Sequence, residues 1–324
     1  MPARVHGKCL AGSTCWHKRI TQGRRLDTDR ATGRTAINEI ELTAVSANDD
    51  SFAGLRPVRT LVLDIGATRI KRPKERQKTD ELWQGVGFGR DTPTDGIPLY
   101  VRIGPNSALV AELLCGVLAQ ALKLPAPEVF LVKVQPGYLP RSKMTNGNQT
   151  TLCVGTRDIG GDTFAQLLRE HSTTTNSLLQ EWPELPRVTA FDEWLANPDR
   201  NLGNLLYVAQ TIHIIDHAEA FGGSNRELYP LSELTDAEFS NLLGERMKFF
   251  ESNKLATLLA DMDVWLLGIA AATDIPTAVE CALGEFDEQP NQRRELIDFI
   301  TKRLSITHTL LCRRLGHPQL MLAS

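Results

Sequence analysis

The chain has 324 residues, 42% of them apolar and 23% charged, with a formal net charge of −3. That is an ordinary globular composition, long enough for two domains or one two-lobed domain, and its charge balance asks for neither a nucleic acid nor an anionic membrane surface. No uninterrupted apolar run approaches the roughly 18–20 residues of a spanning helix; the longest is 264–272, and the N-terminus has no apolar signal-like stretch.

Residues 1–55 are basic, rich in Gly and Thr, and lack periodicity. They are expected to be disordered apart from a short ordered piece near 37–45. His6, Cys9, Cys15 and His17 lie there, but their spacing matches no usual zinc knuckle and no apolar residues support them. The six Cys are scattered over a long chain, which reads as reduced thiols in a cytoplasmic protein.

A compact part is expected from about residue 58. "VRTLVLDI" (58–65) reads as a strand, and 69–81 as a charged, solvated connection. Asp95-Gly96 signals a hairpin between strand-like runs. Ahead of it, Gly85, Gly87 and Gly89 are small enough to let backbone N–H groups approach a phosphate, although glycine-rich hairpins also occur without ligands. Residues 107–124 carry apolar side chains at helical spacing, with Ser107 as a cap and Pro125 and Pro127 as a stop. "EVFLVKV" (128–134) is a strand, and 136–151 a loop. Residues 151–170 read as a strand, a Gly-Gly turn and a helix capped by Asp162 or Thr163. Helices follow at about 188–196, 235–244, 246–261, 276–284 and 291–315, interrupted by one polar loop and a hairpin over 205–216. The pattern is α+β: a small mixed β/α lobe over 58–150 and a mainly helical lobe over 155–324.

The polar loop is "NPDRNLGNLLY" (197–207). The helix before it must end ahead of Pro198, because the residue preceding a proline avoids the helical region. Asp199 then stands five residues before Asn204, and after the hairpin Asp216 ends an apolar run. Phosphoryl transfer from ATP needs a carboxylate for the attacking hydroxyl, an amide oxygen and a second carboxylate for magnesium, and a cation on the phosphates. An Asp, an Asn five positions on and an Asp after a short hairpin follow the order and spacing of that machinery. Each piece alone is also ordinary turn chemistry. His217 reads as a loop histidine, Trp83, Trp182 and Trp194 as packing, and Cys115 and Cys281 as inert thiols in apolar helical settings.

"FDEWLANPDRNLGNLLY…IHIIDHAEAF" resembles the catalytic loop and metal-binding segment of HipA-like kinases, which share a fold with phosphatidylinositol 3- and 4-kinases. "DGIPLYVRI…ALVAELLCGVLAQALKLPAPEVFLV" is similar to that family's hairpin, Glu-bearing helix and following strand, so the resemblance spans roughly 58–223. It implies a two-lobed protein-kinase-like fold, ATP and Mg²⁺ as cofactors, and transfer of the γ-phosphoryl group to a hydroxyl of a protein Ser or Thr. By the same resemblance Asp199 is the catalytic Asp, Asn204 and Asp216 hold the metal, and Glu112 pairs with the phosphate-binding cation. An antitoxin-type protein partner also enters by this route; nucleic acid and membrane do not. Two positions depart from the pattern: Asn201 replaces a loop His, and Arg102 falls where the phosphate-binding Lys belongs, with Lys71 as another source of an amine. These departures leave open a nucleotide-binding pseudokinase, and a non-catalytic helical interaction protein is a third reading.

Overall fold

A computed structural model describes residues 55, 57–70, 80–90, 93–139, 142, 148–286 and 290–317. The expectations for residues 1–54, including the His6/Cys9/Cys15/His17 group, fall outside the described residues, as do most of the charged connection and Lys71. The described residues belong to one compact unit.

Six strands form the first sheet: β1 (Thr60–Leu63), β2 (Thr68–Arg69), β3 (Glu81–Gly89), β4 (Ile97–Ile103), β5 (Val129–Val134) and β6 (Thr151–Arg157). Their order is β1-β5-β6-β4-β3-β2, and β1 also pairs with β3, so five of them close into a small ring. Alternation sorts the side chains as the pleat requires. Ile97, Leu99, Val101 and Ile103 of β4 join Leu61, Leu63, Phe130, Val132 and Val134 in one buried cluster. Arg102 therefore leaves β4 on the opposite face. β6 begins beyond residue 150, the expected end of the small lobe, yet it lies between β5 and β4 and completes the sheet.

The helix α1 (Asn106–Ala121) packs on that opposite face, buried along Leu109–Ala119. Its cap differs from expectation: the helix opens at Asn106 after Pro105, and Ser107 lies inside it. Gly116 lets α1 approach Val129 of β5, because any Cβ there would overlap that valine.

Past the sheet the chain is largely helical: α2 (Phe164–Glu170), α3 (Ser172–Gln180), α4 (Leu185–Trp194), α5 (Leu231–Leu234), α6 (Leu242–Met247), α7 (Ser252–Ala272), α8 (Ile275–Leu283) and α9 (Pro290–Arg314). A second sheet joins β7 (Asp162–Thr163), β8 (Leu205–Val208) and β9 (Thr211–Ile214). The capping choice at α2 falls on Thr163, whose hydroxyl accepts from the Gln166 N–H while the Gln166 side chain accepts from the Thr163 N–H. Most of the helix expected over 235–244 is absent: residues 235–241 are not helical, between α5, which ends at Leu234, and α6, which begins at Leu242. Among the described residues, α7 is one helix with the length and apolarity to cross a membrane: 21 residues, with a mean hydropathy of 1.6 over its most apolar 18. Counting uninterrupted runs missed it because Asp261 and Asp263 break the stretch. Leu255, Leu259, Met262, Leu266 and Ile269 form its one buried face.

Candidate active site

Helix α4 delivers the polar loop. It starts with Pro186 in its first turn, where a proline is pre-organised for the helix, and ends at Trp194. Ala196 then takes φ +49°, turning the chain out of the helix. Asn197 steadies the entry: its Nδ2 donates to Asp192 Oδ1 at 3.0 Å and its Oδ1 accepts from the Asp199 N–H at 3.3 Å.

Asp199 and Asn204 meet. Asn204 Nδ2 donates to the Asp199 carbonyl at 2.6 Å and reaches the Asp199 Oδ2 at 3.5 Å. Asn201, expected to weaken the loop by standing where a His belongs, has a role of its own. Its Nδ2 donates to Asp199 Oδ1 and to the Asp199 carbonyl, both at 3.1 Å, and its Oδ1 caps the 3-10 turn over Leu202–Asn204. It therefore orients the Asp199 carboxylate.

Asp216 arrives beside this loop through the backbone, with the Ile215 N–H donating to the Asn204 carbonyl at 3.1 Å. Asp216 itself sits at φ +57°, a left-handed conformation that costs a non-glycine residue about 1–2 kcal/mol.

One residue ties both segments together, and sequence reasoning gave it no role. Arg200 is 1% exposed. Its Nε and Nη2 grip Asp192 at 3.0 and 3.1 Å, its Nη1 reaches the carbonyls of Asn204 and Ile215, and its Nη2 also meets His217 Nδ1 at 2.9 Å. An arginine has no acceptor, so Nδ1 accepts and the His217 proton sits on Nε2. Burial and the nearby Arg200 hold His217 well below the ordinary histidine range, which keeps the ring neutral. An acid buried in α4, eight residues before an Arg in the loop, was the signal available in the sequence.

From the sheet side, Arg102 enters the same cluster, 5% exposed. Its Nη2 donates to Asp216 Oδ1 at 2.7 Å, its Nε lies 3.7 Å from Glu112 Oε2, and its Nη1 pairs with Asp80. Burial alone would push the guanidinium down, but Asp216, Glu112 and Asp80 outweigh it and hold it above its ordinary value. Glu112, in the middle of α1, also accepts the His217 N–H at 2.8 Å. Burial pushes the Glu112 carboxyl up, against the pull of Arg102. The structure therefore brings together Arg102, Glu112 and Asp216, and separately Asp199 and Asn204, with Arg200 and Ile215 joining the two groups. Asp80 is a member that the sequence did not single out.

Gly85 and Gly87 stand apart from this cluster, inside β3 and paired with Leu99 and Ile97 of β4. A Cβ on Gly87 would come within 2.6 Å of Leu99 Cδ1, and one on Gly85 within 3.0 Å of Leu63 Cδ1 and Ala67 Cβ. Both therefore have a packing reason to be glycine.

Among the described residues no three His, Cys, Asp or Glu side chains are grouped to hold a metal by themselves. Magnesium does not need such a cage, since it keeps waters and binds through one or two carboxylates plus substrate phosphates. One carboxylate and one amide oxygen, Asp216 and Asn204, are a hard-oxygen pair that suits it. Cavities of about 470, 420 and 250 Å³ lie elsewhere, and none of the three is lined by Asp199, Asn204 or Asp216.

Residues 100–229 match the family model for HipA-like kinases, a segment that contains Arg102, Glu112, Asp199, Asn204 and Asp216. No curated protein matches the chain. Among solved structures, the chain is similar to the Helicobacter pylori proinflammatory kinase CtkA, with 14% identity and a TM-score of 0.45 over 76% of this chain and 97% of that one.

Proposed function

We propose that this chain, whose residues 100–229 match the model for HipA-like kinases, is such a kinase and uses ATP and Mg²⁺ to phosphorylate a protein Ser or Thr hydroxyl. The observation that carries the reading is the Arg200 hub, which locks the loop of Asp199 and Asn204 to the backbone that presents Asp216. Asp199, oriented by Asn201, accepts the proton of the attacking hydroxyl. Asn204 and Asp216 would hold magnesium, which supplies charge neutralisation on the transferring phosphate when bound. Arg102 supplies the fixed cation for the phosphates, and Glu112 keeps it against the sheet face.

A pseudokinase is the second reading. It is favoured by one contact: the Arg102 guanidinium donates to Asp216 Oδ1 and so competes with a metal for that carboxylate.

Incubation with labelled ATP and Mg²⁺, followed by intact-mass analysis, separates the two. The wild type is expected to transfer label to itself or to an added protein. Asp199→Ala should lower transfer by about 100- to 10,000-fold, the range for losing a general base, with circular dichroism unchanged. Thermal stabilisation by Mg·ATP with no label transfer in the wild type would favour the pseudokinase. Undiminished labelling in Asp199→Ala would remove the catalytic assignment.

A further inference from the structure

We propose that Asp80 is a positioning residue for this site: it anchors the Arg102 guanidinium so that its other arm is free to move from Asp216 to the nucleotide phosphates. The inference rests on the kinase reading above and adds a residue to it.

The geometry starts in the ladder. Leu82 of β3 faces Arg102 of β4, and Glu81 faces Ile103. Continuing that register sets Asp80 opposite Gly104, on the same face as Arg102 and diagonal to it, a separation that long side chains bridge. Gly104 makes the approach possible, because a Cβ there would lie 2.8 Å from the Asp80 Cβ. The Asp80 side chain is 4% exposed and meets Arg102 Nη1.

Each arm of the guanidinium thus has its own carboxylate: Nη1 has Asp80, Nε has Glu112, and Nη2 has Asp216. A lysine, with one nitrogen, cannot be divided in this way, whereas the planar fork of arginine can. With a metal on Asp216, Nη2 exchanges that carboxylate for a phosphate. Asp80 and Glu112 then keep the cation in place, and Nη2 is released toward a phosphate without the head group swinging away. Asp80 thereby accounts for an arginine where the family resemblance expects a lysine.

The test is a binding cycle on the full chain, with Mg·ADP titrated calorimetrically into wild type, Asp80→Asn, Arg102→Lys and the double variant. Asp80→Asn is expected to weaken Mg·ADP by about 10- to 100-fold, the usual effect of removing a supporting partner from a metal site. In the Arg102→Lys background the same change should cost less than about twofold, because a lysine has no second arm for Asp80 to hold. Where Asp80→Asn does not fold, Gly104→Ala displaces the carboxylate sterically and should weaken binding in the same direction. Equal losses in both backgrounds would make Asp80 merely structural and overturn the proposal, as would unchanged affinity in Asp80→Asn. A wild type that binds no Mg·ADP overturns the kinase reading and this inference with it, whereas a binding wild type with an indifferent Asp80 overturns the inference alone.

Discussion

Arg200 is the residue on which the site depends most, although it touches no reacting group in the proposed chemistry. It is fully enclosed, and its counter-ion Asp192 is enclosed with it. Removing one partner of such a pair strands the other charge, which costs about 3–5 kcal/mol. Arg200→Met should lower unfolding stability by that amount in urea titration, and Asp192→Asn added to it should return a substantial part. If Arg200→Met instead unfolds at the wild-type midpoint, the hub is not holding the loop. This contrast shows what was legible at the residue scale. Asp199, Asn204 and Asp216 could be picked out because their spacing along the chain is itself the signal. Arg200 stood in the same loop, but its partners lie eight residues back in α4 and fifteen and seventeen residues ahead at Ile215 and His217. Asp80 was hidden for the same reason: only the β3–β4 register brings it to Arg102.

At the scale of elements, apolar runs closed by prolines or polar breaks located β5, α1, α4, α8 and α9 closely, although α1, α4 and β5 are buried almost all round rather than on one face. The same signal missed α3, whose opening Ser-Thr-Thr-Thr-Asn run has weak helix propensity, although Leu179 near its end is buried in the main core. The glycines of β3 were legible as glycines but not as packing. Gly87 lies in the ladder between Ile97 of β4 and Leu63 of β1, with its missing side chain aimed at Leu99 and Leu61. Gly87→Ala should therefore cost about 1–3 kcal/mol by overpacking the ring interior, and Leu99→Val in the same chain should recover part of the loss. Thermal unfolding reads the stability, and Mg·ADP titration below the transition reads the ligand. Weakened nucleotide binding at unchanged stability would return Gly87 to the role of a phosphate cradle.

At the scale of the molecule, the sequence suggests two lobes; the ring of strands has its own interior cluster around Leu61, Leu99 and Phe130, but a larger cluster crosses between the sheet and the helices. A single buried cluster runs from Val129, Leu131 and Val154 of the sheet through α1 to α4, α7, α8 and α9. Polar links cross the same boundary: Thr60 Oγ1 donates to Glu285 at 3.0 Å, Lys133 Nζ lies 3.2 Å from the other Glu285 oxygen, and the Ile214 N–H donates to the Pro125 carbonyl at 2.8 Å. Chains of this length commonly unfold through intermediates when their parts have separate cores. Here α1 is packed on the sheet through Gly116 and Val129 and against α8 on its other side, so neither part keeps its apolar surface covered without the other. Urea unfolding of the sheet and of the helices should then coincide. Trp83 reports on the sheet, while Trp182 and Trp194 report on the helical part, so fluorescence of the wild type and of Trp83→Phe can be set beside far-ultraviolet circular dichroism. One midpoint and one slope across all three signals is the expected result. A separate early transition that disappears with Trp83→Phe would mean that the sheet unfolds by itself, and Arg102 and Glu112 would then be carried on a part able to open independently of Asp216.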